Sequence, residues 1–441
     1  MPRTRRSRWI AALLAVLSTA AGVTVVAAPA TAQPALPTSC AWMRKVAPDS
    51  GNIAYPDSAA AYWVSAVRVP AGGHVEIRGA YPYARYVSLA TYSVAAQSID
   101  GLSDIEIRPD PGSTNPFHVG ADRAASRRDF TVRLTDGRVP RTGRAANTLY
   151  TTSADGTRTS PPGFALVLWR VYVPDDGTDQ SGGVGLPTLT TVDARGARAP
   201  MPSCAGGAPG AVVTGPSAAG LAPAAYFPRP AGTFGTNPPS WHKFTGTAQA
   251  LAIVLAGGRP GRDIADRIGD LAGPLGTGGF FDNPDNKYVF ATTDAGYGSV
   301  LELRGRAPTA PRTASGETTM GGGQVRYWSV CTENALTTAY LGCAYDEQIP
   351  VDADGWYTVV VSAADRRPAN ARAACGVTWL PAGAGPQAML LLRNMLPDPG
   401  FTSSVQQAAP GRERATMGSY LPTARYLRSP ADYERRGCAG H

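Results

Sequence analysis

Apolar residues in this chain fall in short runs, many of them alternating with polar ones. In Tyr86-Val87-Ser88-Leu89-Ala90-Thr91-Tyr92, Val87 and Leu89 face one way while Ser88 and Ala90 face the other, the period of a β-strand. The run Phe164 to Val173 is apolar on both faces apart from Arg170, which predicts a central strand covered on both sides. These runs are rich in Val, Tyr, Trp and Thr and are bounded by Gly, Pro and Asp. Repeated short strands with turn signals between them predict an all-β chain, with an antiparallel sandwich or jelly roll in each half. One minor helix is expected near Asp263 to Leu271, where Ile264 and Ile268 sit four apart.

The strand pattern repeats. Glu76-Ile77-Arg78-Gly79 returns as Glu302-Leu303-Arg304-Gly305, and Ala84-Arg85-Tyr86 as Val325-Arg326-Tyr327. Asp104, Ile107 and Asp110 match Asp346, Ile349 and Asp352, and Arg170, Pro174 and Gly177 match Arg393, Pro397 and Gly400. Four ordered matches read as a duplication. The stretch 205–240 is dominated by Gly, Ala and Pro, a composition that buries little and reads as a linker. The expected layout is a leader over 1–32, a first sandwich over 33–204, the linker, and a second sandwich over 241–441.

Some of these segments also carry a resemblance. Tyr327-Trp328-Ser329-Val330, Asp354-Gly355, Trp379-Leu380-Pro381-Ala382 and Leu392-Arg393-Asn394-Met395-Leu396-Pro397 occur in that order. The order resembles an uncharacterised β-sandwich family, one of a pair of domains of unknown function often found together in bacterial proteins. The first half keeps Tyr86-Val87-Ser88-Leu89 and Trp169 to Pro174 but lacks the Trp-Leu-Pro-Ala segment. The resemblance covers about half of each domain and implies a sandwich architecture in two copies. It implies no mechanism, because the family has no settled activity.

The first 32 residues have the form of an export signal. Arg3, Arg5, Arg6 and Arg8 precede an apolar stretch from Ile10 to Val26, and Ala30-Thr31-Ala32 offers a small-x-small cleavage pattern. A secreted chain with no membrane span after cleavage is expected. Losing those four arginines halves the formal charge of +8, too little to argue for nucleic acid, and no basic run is present. Six cysteines in an oxidising compartment read as three disulfides. The preferred pairing is Cys40–Cys204, Cys331–Cys343 and Cys375–Cys438. With no zinc-like spacing and four histidines in all, no metal site on His or Cys is expected and no cofactor is implied.

Candidate chemistry is sparse. An arginine inside a buried strand must find a carboxylate or several carbonyls, so Arg170 and Arg393 are expected to pair with Glu76 and Glu302; the functional alternative is a carboxylate or phosphate ligand. Asp104 and Glu106 are the candidate catalytic pair, since glycoside hydrolysis needs two neighbouring carboxylates, although turn capping is the usual use of acids beside Pro and Gly. Asp175 to Asp179 and Asp352 to Asp354 could hold calcium, though neither has EF-hand spacing. No G-x-S-x-G or phosphate loop is present.

Aromatics are plentiful. Trp169 and Trp379 are assigned to the cores, while Tyr81 and Tyr83, flanking Pro82, are assigned to an exposed loop. Arg85, Tyr86, Arg326, Tyr327, Trp328 and Asp346 join Arg170, Tyr81 and Tyr83 as candidate ligand-binding residues. Export, disulfides, paired sandwiches and spare aromatics point to a protein that binds extracellular or cell-wall polysaccharide. The competing expectation is a cofactor-free hydrolase of an extracellular polymer, using Asp104 and Glu106 with Arg85 or Arg170 orienting the substrate.

Overall fold

The computed structural model describes residues 40–50, 52, 55–94, 96–158, 160–204, 235–246, 281–335 and 337–438. The expected leader, the helix near 263–271 and most of the 205–240 stretch lie outside them. Among the described residues no helix is long and apolar enough to cross a membrane.

The first half holds β1 (Arg44–Val46), β2 (Ala60–Arg68), β3 (His74–Ala80), β4 (Ala84–Tyr92), β5 (Ser98–Ser103), β6 (Asp129–Arg138), β7 (Thr148–Thr152), β8 (Phe164–Pro174), β9 (Thr188–Val192) and β10 (Arg198–Met201). The second holds β11 (His242–Lys243), β12 (Asn286–Asp294), β13 (Val300–Arg306), β14 (Val325–Glu333), β15 (Tyr340–Tyr345), β16 (Trp356–Ser362), β17 (Val377–Pro381), β18 (Gln387–Pro397) and β19 (Thr423–Leu427). Two short helices, α1 (Glu413–Met417) and α2 (Pro430–Glu434), flank β19.

These strands make four sheets, two per half, as the turn-punctuated apolar runs predict. In the first half the orders are β1-β2-β8-β4-β5 and β10-β9-β3-β6-β7; in the second they are β11-β12-β18-β14-β15 and β17-β16-β13-β19. Strand for strand the orders coincide, apart from the extra β10. Pairing is antiparallel except between β6 and β7 and, at the equivalent place, between β16 and β17.

Each pair of sheets closes on an apolar core. In the first, Val87 and Leu89 of β4 and Trp169 of β8 meet Ile77, Val132 and Leu134 from the opposite sheet, and Phe130 stacks on Trp169 at 5.7 Å. In the second, Trp328 and Val330 of β14 meet Leu303, Tyr357 and Val359. Burying each such side chain contributes about 1.5–3 kcal/mol.

The alternate positions of β4 and β14 are buried too. Tyr86 and Tyr327 leave the cores and join Tyr172, Ala314 and Met395 in a cluster drawn from both halves. Strands in this position are therefore apolar or paired on both faces, because one face fills a core and the other fills the junction between sandwiches.

The three disulfides are Cys40–Cys204, Cys331–Cys343 and Cys375–Cys438, the preferred pairing. The expected Glu76–Arg170 and Glu302–Arg393 pairs do not form, because each glutamate and its arginine belong to different sheets. Glu76 instead takes Arg78 and Arg198, and Glu302 takes Arg425 and Arg436.

Candidate functional site: the junction between the sandwiches

The arginines of the repeated motifs reach across the junction. Arg85, second residue of β4, pairs with Asp346 and Glu347, which follow β15 of the other half. Its counterpart Arg326, second residue of β14, pairs with Asp104, which follows β5 of the first half, at 3.1 Å. The two contacts are one contact made twice in opposite directions. Even the backbone repeats: the Val87 amide donates to Asp104 and the Trp328 amide to Asp346, at 3.4 and 3.2 Å.

The central-strand arginines are exchanged in the same way. Arg393 Nη2 donates to the Tyr55 carbonyl of the first half at 2.7 Å, and Arg170 Nη2 to the Phe281 carbonyl of the second at 2.7 Å. Tyr55 and Phe281 each lie five residues before the strand, β2 or β12, that pairs with β8 or β18.

Their further partners differ. Arg393 has two carboxylates, Asp57 at 3.3 Å and Glu333 at 3.2 Å. At the equivalent positions Arg170 has Asn283 and Tyr92. It donates to the Tyr92 hydroxyl and to the carbonyls of Phe281 and Asp282, and no carboxylate among the described residues lies within ion-pair distance. Its Nη1 has no hydrogen-bond partner among the described residues although the side chain is buried.

Arg170 stands in the wall of two neighbouring cavities. The larger, about 500 Å³, is lined from both halves by Tyr55, Tyr62, Tyr172, Phe244, Phe281 and Tyr288, among others. Tyr62 meets Tyr172 edge-on at 6.0 Å, their hydroxyls 2.6 Å apart. Of the charged side chains on this wall among the described residues, Arg158, Arg170, Lys243 and Lys287 are cationic and Asp282 is anionic. The smaller cavity, about 390 Å³, shares Arg158, Arg170 and Asn283 but carries Asp100, Glu106 and Asp285.

Burial governs the acids here. It pushes Asp104 up to about 7 against the pull of Arg326, and Glu333 up to about 8 against the pull of Arg393. Asp100 rises to about 6 for the same reason, opposed by Arg144. Asp285 and Asp346 are also raised by burial, and the phenols of Tyr62, Tyr172 and Tyr288 lie well above their ordinary value. Glu76, away from the junction, is drawn down to about 2 by its hydrogen bond to Arg198.

The two members of the proposed catalytic pair have different surroundings. Asp104 is fully buried and held by Arg326, outside both cavity walls, whereas Glu106 lines the smaller cavity and accepts from the Ser103 amide and hydroxyl. Arg85, Tyr86, Arg326, Tyr327 and Asp346 are packed into the junction, and Trp328 is in the second core. Tyr81 is not in an exposed loop: it is buried in the first core and donates to the Ile107 carbonyl at 2.5 Å. Tyr83 is partly buried under the Arg128 guanidinium at 3.7 Å.

The acidic loops are engaged as well. Asp175 pairs with Arg123, Asp179 accepts from Ser181 and Gly183, and Asp352 caps its own turn and meets Arg304. Among the described residues one group has metal-ligand spacing, Asp57 with Cys331 and Cys343, but those sulfurs form a disulfide and offer no thiolate.

Sequence reasoning missed the aromatics and lysines of the cavity wall. Tyr62 and Tyr288 occupy the same place in the two halves, opposite Arg170 and Arg393, but no shared motif surrounds them.

By its strands this is an all-β protein of two tandem sandwiches. No known family profile matches the chain, and no curated protein matches it. Solved structures that resemble it include an uncharacterized protein from Burkholderia cenocepacia, 14% identical with a TM-score of 0.43 over 88% of this chain and 82% of that one. Another, from Vibrio parahaemolyticus, is 11% identical with a TM-score of 0.41 over 85% of this chain and 90% of that one.

Proposed function

We propose that this is an exported saccharide-binding protein, built from two copies of one sandwich, whose ligand occupies the larger cavity between them. The observation that carries this reading is the cavity wall. About 500 Å³ lined by tyrosine and phenylalanine from both halves lies within the usual range of roughly 300–1,000 Å³ for a small-molecule site. Flat aromatic faces with polar tips suit sugar rings, which present an apolar face and a fringe of hydroxyls. Three disulfides and the basic-apolar leader support export. The strand orders, matching apart from the extra β10, and the crossed arginine contacts support duplication.

The test is calorimetric titration of the purified chain with oligosaccharides cut from cell-wall and extracellular polymers, alongside mass spectrometry of the mixtures. Saturable binding that Tyr288→Ala weakens, with no new products, is the expected result. Products that vanish with Glu106→Gln would replace this reading with hydrolysis.

A further inference from the structure

We propose that the ligand of the larger cavity is an acidic saccharide, one carrying a uronic-acid carboxylate, and that Arg170 is the residue that recognises the acid. This inference rests on the saccharide reading and names its chemical class.

A buried guanidinium needs an anion or a full set of acceptors. Arg393 shows how this fold supplies the anion internally, with Asp57 and Glu333. At Arg170 the two equivalent positions hold Asn283 and Tyr92 instead of acids, and Nη1 has no acceptor among the described residues. The substitutions remove negative charge at the one central-strand arginine that walls the larger cavity; Arg393 lines neither cavity.

The rest of that wall is biased the same way. Two of the chain's three lysines, Lys243 and Lys287, stand on it with Arg158, against Asp282. Lys243 is held by the carbonyls of Gln406 and Ala408 and has no carboxylate within ion-pair distance among the described residues. The smaller cavity, with Asp100, Glu106 and Asp285, repels an anion, so the acid group belongs on the larger side of Arg170. A carboxylate offers the fork geometry that a guanidinium matches, while the aromatic wall takes the ring.

The test compares trimers of galacturonate, glucuronate and mannuronate with their methyl esters, which keep the rings and lose the charge, by calorimetry at low salt. At least one free-acid trimer should bind about tenfold to a hundredfold more tightly than its ester, the span of a hydrogen bond to a charged group. Arg170→Met should erase that preference. Because Arg170→Met also removes the hydrogen bonds to Tyr92, Phe281 and Asp282, Asn283→Asp serves as the second variant: it places a carboxylate where Arg393 has Asp57, at almost unchanged volume, and should also erase the preference. Acid and ester binding equally to the wild type, or a preference surviving Asn283→Asp, would overturn this inference and leave the saccharide reading standing. If neither acid nor ester of any trimer binds the wild type, this inference falls, and the titration with the wider set of cell-wall and extracellular oligosaccharides decides the saccharide reading.

Discussion

Replacing Arg85 by methionine removes the guanidinium that joins the halves and leaves two carboxylates facing its place. Arg85 is fully buried, and the side chains of Asp346 and Glu347 are 7% and 5% exposed, so water cannot take over the missing charge. Removing one partner of a buried ion pair costs about 3–5 kcal/mol, most of it the uncompensated charge left behind. For a sandwich of this size each kcal/mol lowers the melting temperature by roughly 2–4 °C, so Arg85→Met should lower it by about 6–20 °C. Scanning calorimetry at neutral pH measures the shift. If the cost is electrostatic, the triple variant Arg85→Met/Asp346→Asn/Glu347→Gln should recover more than half of the loss, since the amides keep the shape of the acids. A drop smaller than about 2 °C in the single variant would refute the reasoning, because effects that small belong to exposed pairs. A triple variant no more stable than the single one would assign the cost to packing.

Arg326→Met should cost more at pH 8.5 than at pH 5.5. At the lower pH Asp104, pushed up to about 7 by burial, is already protonated, and only hydrogen bonds are lost, from Arg326 to the carbonyls of Arg85 and Phe117 and to the Asp104 carboxyl, with no charge left unpaired; urea melts giving equal costs at both pH values would contradict this. The wild type should itself gain stability as pH falls from about 8.5 to about 4.5, because Glu333 and Asp104 have folded values of about 8 and 7, above their unfolded ones. Their contribution is complete below the unfolded values and lost as pH rises through the folded ones; a melting temperature that falls steadily from pH 8.5 to 4.5 would count against it. Below about pH 4 the trend should reverse as Glu76, with a folded value of about 2, takes up its proton. Cys40→Ser/Cys204→Ser opens a clasp between residues 164 apart and should cost about 2–5 kcal/mol, with calorimetry placing the loss in the first sandwich and sparing the second.

The β-architecture was legible because its signal is local. A period of two in Tyr86 to Tyr92, bounded by turn residues, cannot be satisfied by a helix. The internal matches also aligned Arg85 with Arg326, Asp104 with Asp346 and Arg170 with Arg393: the arginines hold equivalent strand positions, and each aspartate directly follows the equivalent strand. What the repeat could not disclose is the direction of the contacts. An aligned pair of halves is equally compatible with Arg85 meeting Asp104 and with Arg85 meeting Asp346. Only the packing of the two outer faces selects the crossed choice. The expected Glu76–Arg170 pair failed for a related reason: a charge inside an apolar run announces that it needs a partner, but the partner is chosen by neighbouring strands that lie far off in sequence.

The same alignment nevertheless held the clue to the cavity, in its mismatches. Counting back three residues from β2 and β12 sets Asp57 against Asn283, and the last residues of β4 and β14 set Tyr92 against Glu333. Matched positions in a duplicated fold report what both halves need for stability, here the arginine in the covered strand. Positions where one half drops both acids while keeping the arginine report a difference in what the two arginines do. Arg393 has two acids in ion-pair reach and lines neither cavity; Arg170 has none in such reach among the described residues, feels Asp285 only from the smaller cavity, and borders the larger one. A buried guanidinium with no acid in ion-pair reach among the described residues, in the same fold that gives Arg393 two, fits an anion that arrives from outside the chain.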